Sequence, residues 1–232
     1  MTHPTNSPQT PDIRRQALTV ARRDLVSEAR SGEVMFVVAP FAAIALLLIP
    51  IGIGTDVPLL RRIGPGLYWA IVLLFGILVT LRQSADDGGP QRDRLALLGA
   101  DPVAVLAGRS AAAAVLLIAV EVVLLPVMLA LYDVSLPGWP WLFFLIPMVG
   151  AALAMLGTIV SAVTGPGASR AALVPLLVAP LAVPILLAAT QSLEGLRLGE
   201  SILTWLLLLA VGNLILAVTG VLAARPLQEA LR

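Results

Sequence analysis

The chain contains no cysteine and no lysine, and its single histidine, His3, lies in the first few residues. Without cysteine it has no disulfide, no Cys-ligated zinc and no thiol nucleophile. Without lysine it has no P-loop lysine for phosphate binding, and one histidine cannot supply the two that a zinc-protease motif requires. We therefore expect that the chain is not an enzyme.

Charged side chains are also scarce. Only 12% of the 232 residues are charged and 59% are hydrophobic, whereas soluble domains are about 25% charged. Fifteen arginines and fourteen acids leave a net charge of +1, which gives a nucleic-acid partner no electrostatic support. The polar surface is too small to cover a water-soluble globule, so we predict an all-α polytopic membrane protein.

Six stretches of the sequence are apolar over about 20 residues, the length that crosses a bilayer core of about 30 Å as a helix. Breaks rich in glycine, proline or aspartate separate them. The predicted transmembrane helices are 34–53, 63–82, 110–131, 141–163, 171–192 and 201–224.

The arginines predict the orientation of these helices. With the N-terminus inside, twelve arginines fall in inner segments and three, Arg61, Arg62 and Arg197, fall outside. Short cytoplasmic loops collect positive charge, so both termini are predicted to be cytoplasmic, with residues 225–232 as a cytoplasmic tail. No signal peptide is expected, because about thirty polar residues precede the first apolar stretch.

Two different segments precede the first predicted span. Residues 1–12 are rich in proline and hydroxyl side chains and are expected to form a disordered tail. Residues 13–31 predict an amphipathic helix, which suits a position along the inner headgroups, with a cytosolic extension of the first span as the alternative. Its apolar positions are Leu18, Ala21, Leu25 and Ala29.

The longest loop, residues 83–108, follows the second predicted span. Arg92, Asp93 and Arg94 precede a run of leucines, and Asp101-Pro102 can start the next helix. A short helix parallel to the membrane, charged at one end, would receive a partner protein. A solvated loop is the alternative that this charge pattern leaves open.

Glu121 is the one ionisable residue deep inside a predicted span. An acid within the membrane is a candidate functional group by default, because a charge there costs at least about 2.5 kcal/mol. It serves either a structural role, bonded to a partner such as Thr158 or Asn213, or a proton or substrate role. The second role would support a proton-coupled carrier.

The fifth predicted span contains Pro175, Pro180 and Pro184. Each proline removes a backbone hydrogen bond, which membranes tolerate where neighbouring groups cover the freed carbonyls. The helix is therefore a candidate hinge or cavity wall, and a static kink is the alternative.

Two stretches in this order resemble a known permease family. They are RRIGPGLYWAIVLLFGILVTLR at 61–82 and the proline-rich LVPLLVAPLAVPILLAAT at 173–190. With the six spans and the chain length, they resemble the CcmB type of permease subunit, from the haem-exporter ABC transporter of cytochrome c maturation. The resemblance covers about residues 15–228. The residues that match the family motif at the outer mouth of the second span are Arg62, Ile63, Pro65, Gly66 and Trp69.

The resemblance implies an ABC-2-like permease in the inner membrane of a bacterial cell. A partner ATPase subunit would hydrolyse ATP and drive movement in the membrane, which releases a haem-loaded chaperone. Further implied partners are a haem-handling membrane protein and a second permease copy. The alternatives are a permease that exports another amphiphile, such as a lipid or a drug, and a non-transporting scaffold for a haem-handling partner.

The sequence departs from the family pattern after the second span. Asp87-Gly88 matches, but Gly89-Pro90 and the stretch 92–94 replace the acidic element expected to touch the ATPase. The candidate coupling residues are Asp87, Arg92, Asp93 and Arg94.

Haem iron is usually bound by His, Cys, Met or Tyr. Histidine and cysteine are absent from all the spans, and the methionines and tyrosines show no pairing in the sequence. We therefore expect that this chain binds no cofactor itself, and that ATP and haem are handled elsewhere in the complex.

Overall fold

The computed structural model describes residues 12–54, 56–85, 100–164 and 170–230. These residues are almost entirely helical, and they contain no strand. A π-helix, Val34–Val38, precedes α2, and a single 3₁₀ turn, Trp139–Trp141, precedes α5. The α-helices are α1 Ile13–Ser31, α2 Ala39–Ile53, α3 Val57–Ala85, α4 Pro102–Tyr132, α5 Leu142–Thr164, α6 Arg170–Leu198 and α7 Leu203–Ala230.

Six helical stretches, namely α2 together with the π-helix before it and each of α3 to α7, are long and apolar enough to cross a membrane, which confirms the prediction of an all-α protein with six spans. The chain is a multi-pass membrane protein. The membrane-crossing stretches are Val34–Ile53, Val57–Gln83, Pro102–Tyr132, Trp139–Thr164, Ala171–Leu198 and Leu203–Ala224.

Two helices begin earlier than the apolar stretches predicted from the sequence. α3 begins at Val57, where the Asp56 carboxylate accepts a hydrogen bond from the Leu59 backbone N–H at 3.1 Å. α4 begins at Pro102, where the Asp101 carboxylate accepts from the Val103 N–H at 2.8 Å. Both helices begin early because an aspartate N-cap and a proline in the first turn favour the start of a helix, even where the residues that follow are not apolar. The last seven residues of the predicted loop 83–108 are therefore helical.

The membrane helices run alternately between two ends of the bundle. We call the end that holds α1 the α1 end, and the opposite end the far end. α2, α4 and α6 run from the α1 end to the far end, whereas α3, α5 and α7 return. At the far end, the Arg61 guanidinium forms an ion pair with Asp133 and also donates to its backbone carbonyl at 3.0 Å.

α5 lies at the centre of the bundle and packs against α3, α4, α6 and α7. Two of its glycines allow this close approach. A Cβ at Gly150 would lie 2.8 Å from Ile118 Cγ1 of α4, and one at Gly157 would lie 2.7 Å from Thr80 Oγ1 of α3. Helices in lipid associate through such close packing, since lipid tails are as apolar as the side chains.

α2 and α7 lie at the edges of the bundle and keep large apolar side chains exposed, as helices that face lipid do. The most exposed of these side chains are Phe36 just before α2, Phe41 and Ile51 on α2, and Leu214 and Leu222 on α7.

The predicted tail 1–12 lies outside the described residues except for Asp12, whose carboxylate caps α1. Of the predicted C-terminal tail 225–232, the structure describes a helical backbone as far as Ala230.

Candidate functional site

α1 is fixed against the first part of one membrane helix, α4. The Gln16 side-chain oxygen accepts a hydrogen bond from the Asp101 backbone N–H at 2.9 Å, at the start of α4. A Cβ at Gly108 would lie 2.5 Å from the Ala17 carbonyl oxygen and 2.7 Å from Val20 Cβ. The glycine therefore lets the backbones of α1 and α4 cross almost in contact.

Only part of the apolar side that the sequence predicts for α1 packs against the protein. Val20 and Ala21 are buried, whereas Leu18 and Ala29 are exposed. Val20 and Ala21 pack against the protein beside Gly108. Leu18 and Ala29 lie on another side of the helix and therefore remain exposed.

A tight corner joins α1 to the first membrane helix. Gly32 ends α1 in the left-handed conformation, with φ of 66°, and its N–H donates to the Glu28 carbonyl at 2.7 Å. The Glu28 carboxylate then accepts from the Val34 N–H at 2.6 Å. At the same corner Glu33 forms an ion pair with Arg82 of α3.

The candidate coupling residues Asp87, Arg92, Asp93 and Arg94 lie outside the described residues. Both ends of their segment are described, and both are attached to the α1 region. Arg82 near the end of α3 pairs with Glu33, and Asp101 at the start of α4 bonds to Gln16. The described residues on either side of the segment 86–99 are therefore attached to α1 and to the corner that follows it.

The motif residues predicted at the mouth of the second span share the first part of α3. Arg62 is exposed and Pro65 is buried. A Cβ at Gly66 would lie nearest to Thr190 Cγ2 of α6. Trp69 is only 1% exposed and packs edge-on against Tyr68, with 4.7 Å between the ring centroids. Trp69 therefore lies inside the bundle and does not reach the membrane–water interface.

Trp139 and Trp141 are the tryptophans exposed at the far end, beside the start of α5. They occupy the position at which aromatic side chains meet the headgroup region.

Glu121 lies on α4 and is completely buried. Neither carboxylate oxygen has a hydrogen-bond partner, and no ion pair reaches it among the described residues. The two partners considered from the sequence are occupied elsewhere: Thr158 donates to the Ala154 carbonyl at 2.7 Å, and Asn213 donates to the Met148 carbonyl at 3.0 Å. The Tyr68 hydroxyl donates at 2.9 Å to the Glu121 backbone carbonyl, not to its side chain.

The three prolines of the fifth span do not interrupt α6, which is continuous from Arg170 to Leu198. Pro180 and Pro184 are exposed one turn apart, and Pro175 is half-buried. Their rings therefore lie mainly on the outer side of the bundle.

Sequence reasoning missed the role of Tyr132. Pro50 has no N–H for the carbonyl of Leu46, four residues earlier in α2. The buried Tyr132 hydroxyl replaces that donor across the bundle and bonds to the Leu46 carbonyl at 3.0 Å. A proline within an apolar stretch, together with a tyrosine at the end of another, is the only sequence signal for this contact.

An apolar groove of about 310 Å³ opens between α4, α5 and α7. Its lining includes the small residues Ala107, Ala111, Ala151 and Gly220, and its polar side chain is Ser110. In the described part of the chain no three acidic, histidine or cysteine side chains come together as metal ligands.

Comparison with known proteins matches residues 15–232 to the model of the family described as CcmB protein. The chain belongs to the CcmB family. This result confirms the resemblance found in the two sequence motifs, and the match includes the whole six-helix bundle and α1.

Two characterised relatives of this CcmB chain carry the name heme exporter protein B. The protein from Paracoccus denitrificans is 33% identical over 218 residues, which cover 90% of this chain and 97% of the relative. The protein from Haemophilus influenzae is 30% identical over 180 residues, covering 77% of this chain and 81% of the relative. The similarity therefore includes both the α1 end and the far end.

Proposed function

We propose that the chain is the permease subunit of an ABC transporter for haem export in cytochrome c maturation. The observation that carries this proposal is membership of the CcmB family over residues 15–232, with relatives named heme exporter protein B. The six membrane helices suit a permease, and the absence of lysine from the sequence excludes a P-loop lysine. ATP hydrolysis would therefore come from a partner subunit.

The α1 end is the surface that we assign to the ATPase. The segment 83–108 with Asp87 and the stretch 92–94 would form the contact, and its ends are attached to α1 and to the corner at Glu33. A movement of this segment, caused by the ATPase, would be transmitted to α2, α3 and α4 together. Further support comes from exposed arginines of α1 that have no ion-pair partner among the described residues: Arg14, Arg15, Arg22 and Arg30.

We place the α1 end on the cytoplasmic side of a bacterial inner membrane, with both termini in the cytoplasm. The support is the distribution of arginines, twelve in the segments at the α1 end and three, Arg61, Arg62 and Arg197, at the far end. α1 would lie along the inner headgroups, and its exposed Leu18 and unpaired arginines suit that position.

The further partners in this proposal are a haem-handling membrane protein, the haem chaperone and a second permease copy. This chain would transmit movement without binding haem. The Tyr68 and Tyr132 hydroxyls, which are candidate iron ligands by type, donate to backbone carbonyls inside the bundle. In the same scheme the exposed Arg62 lies at the outer mouth, Pro65, Gly66 and Trp69 support it from within the bundle, and the prolines of α6 let that helix bend.

Purification of the tagged chain from its own membranes in mild detergent tests the proposal. We expect an ATPase subunit and a haem-handling membrane protein to co-elute. An ATPase alone would indicate a permease for another amphiphile, and the absence of any ATPase would overturn the transporter assignment and leave a scaffold.

The docking segment is tested by the double substitution Arg92→Glu and Arg94→Glu. We expect it to weaken co-purification of the ATPase and to lower the hydrolysis rate of the complex. Arg61→Gln, which removes an exposed arginine at the far end, is the control and should leave both unchanged. Normal assembly of the double variant would contradict docking at this segment.

A further inference from the structure

Polar side chains from three helices, Tyr68 of α3, Glu121 of α4 and Asn213 of α7, lie at a similar depth in the bundle. Tyr68 of α3 bonds to the Glu121 backbone at 2.9 Å, and Asn213 of α7 bonds to Met148 of α5 at 3.0 Å. Each lies about ten residues from the far end of its helix, so the depth is about 15 Å at 1.5 Å per residue. This is about half of a bilayer core of about 30 Å. We call Tyr68, Glu121, Gly150 and Asn213 the mid-membrane polar layer.

Gly150 provides the space for the Glu121 carboxyl group. A Cβ at Gly150 would lie 3.2 Å from Glu121 Oε1 and 2.8 Å from Ile118 Cγ1. The carboxyl group therefore lies directly against the backbone of α5. Its oxygens have no hydrogen-bond partner among the described residues, so a proton bound to the acid removes its charge and water supplies the missing hydrogen bonds only when the site opens.

Among the residues that the structure describes, no charged group compensates Glu121. Tyr68 is the titratable residue that contacts it from α3, while the groups at this depth on α5 and α7 are Gly150, Met148 and Asn213, which carry no charge. An ionised carboxylate enclosed in this way is strongly disfavoured, so the neutral acid is the form that the closed bundle accepts. An apolar side chain of the same size would fill the space without that constraint.

Both helices that enclose the carboxyl group are weakened close to it. Pro126 of α4 has no N–H for the Val122 carbonyl, and Pro147 of α5 has none for the Phe143 carbonyl. Membrane helices bend at such positions, where backbone carbonyls lack their helical donor. The contact between Glu121 and Gly150 therefore lies close to the positions at which α4 and α5 can bend.

We propose that Glu121 is a proton-binding site, which the closed bundle encloses and which ATP-driven separation of α4 from α5 opens to water. This inference rests on the proposed permease function. In the open state the Oε–H bond breaks and the proton passes to water, which then donates hydrogen bonds to the carboxylate. On closure the carboxylate takes up one proton and the Oε–H bond forms again. Each cycle of opening and closing thus exposes the carboxyl group once.

Reaction with dicyclohexylcarbodiimide tests this opening in the complete complex. The acid adds across one C=N bond of the reagent, its proton goes to the nitrogen, and the O-acylisourea rearranges to a stable N-acylurea without loss of atoms. We expect peptide mass spectrometry to show faster modification of Glu121 during ATP hydrolysis than at rest. Exposed Glu200 is the internal control, and its labelling should not depend on ATP.

Two results would overturn the proposal: equal labelling of Glu121 with and without ATP, or no labelling in either state. Hydrolysis is measured on an unlabelled portion of the same sample. Normal hydrolysis with unchanged labelling refutes the inference alone, whereas absent hydrolysis refutes both the inference and the proposed permease function.

Substitutions give an independent test. Glu121→Met should raise the Tm of the purified chain, because it removes an unpartnered buried polar group, and should lower the yield of haem-loaded cytochrome c in cells. Glu121→Gln should also lower that yield, since an amide does not release a proton at ordinary pH. Val115→Met on the exposed side of α4 is the control and should change neither quantity. Full function of Glu121→Gln, or a lower Tm for Glu121→Met, would contradict the proposal.

Discussion

At Gly108 the backbone of α4 comes so close to α1 that no side chain fits between them. A Cβ there would lie 2.5 Å from the Ala17 carbonyl oxygen, and a backbone atom cannot rotate away as a side chain does. Gly212 of α7 is also inside a helix, but nothing lies within 4 Å of its Cβ position.

These two glycines predict opposite effects of the same substitution. Gly212→Ala should stabilise the chain by about 0.5–1 kcal/mol, the usual gain from replacing a helical glycine. Gly108→Ala should instead destabilise it by about 1–3 kcal/mol, because the added methyl group overpacks the crossing. Thermal unfolding of the purified chain in detergent measures both, and a rise in Tm for Gly108→Ala would refute the close crossing.

The Tyr132 hydroxyl predicts a double-mutant cycle. Tyr132→Phe leaves the buried Leu46 carbonyl without a donor, since Pro50 has no N–H, and should cost about 1–3 kcal/mol. Pro50→Ala returns the helical donor to that carbonyl. Tyr132→Phe should therefore cost much less in a Pro50→Ala background, and equal costs in both backgrounds would contradict this role.

At the scale of single residues, the sequence predicted which side chains are unusual but not what they contact. Glu121 and Trp69 are exceptional by type and position, and both prove to be buried. Tyr132 and Leu46 are 86 positions apart, and a contact across that separation leaves no local pattern. Nothing in the sequence distinguishes Gly108 from the other glycines, because its importance depends on the position of α1 in the fold.

At the scale of helices, the left-handed corner at Gly32 determines the direction in which α1 leaves the bundle. An L residue at φ of 66° is strained by about 1–2 kcal/mol, and a Cβ there would also lie 2.7 Å from the Phe36 ring. Gly54 has a similar φ of 86°, but its Cβ position is free of neighbours, and it lies at the far end.

We therefore predict that Gly32→Ala loosens α1 from α4. Trypsin should cleave faster at Arg22 and Arg30, because a detached helix unfolds more easily in the protease. Gly54→Ala is also strained, because φ of 86° with ψ of −166° is a conformation essentially restricted to glycine, and it should leave cleavage in α1 unchanged. If both variants show the cleavage pattern of the wild type, the corner does not control the position of α1.

The six membrane helices were predictable because each needs about 20 apolar residues, a constraint that the bilayer imposes on any sequence. Their ends were less predictable from hydropathy alone. Hydropathy marks the apolar part of a helix, whereas Asp56 and Asp101 begin α3 and α4 by bonding to backbone N–H groups. The partners of α1 were not predictable, because its amphipathic pattern serves equally for packing on lipid or on α4.

At the scale of the whole molecule, the orientation in the membrane is testable without background labelling, because the chain contains no cysteine. Ser31 is exposed at the α1 end and Glu200 is exposed at the far end. In intact spheroplasts an impermeant maleimide should label Glu200→Cys, and it should label Ser31→Cys only after the membrane is permeabilised. The reverse labelling pattern would show that the chain has the opposite orientation in the membrane and would contradict the proposed topology.

The central position of α5 has a consequence for biosynthesis. α5 is the fourth membrane helix to leave the ribosome, yet 61% of its most apolar stretch is buried against the others, compared with 17% for α7. When α4 enters the bilayer, its Glu121 has no Gly150 to lie against and faces hydrocarbon or the translocon. The nascent chain therefore passes through a stage in which its only mid-membrane acid is uncovered, and that stage ends when α5 is inserted.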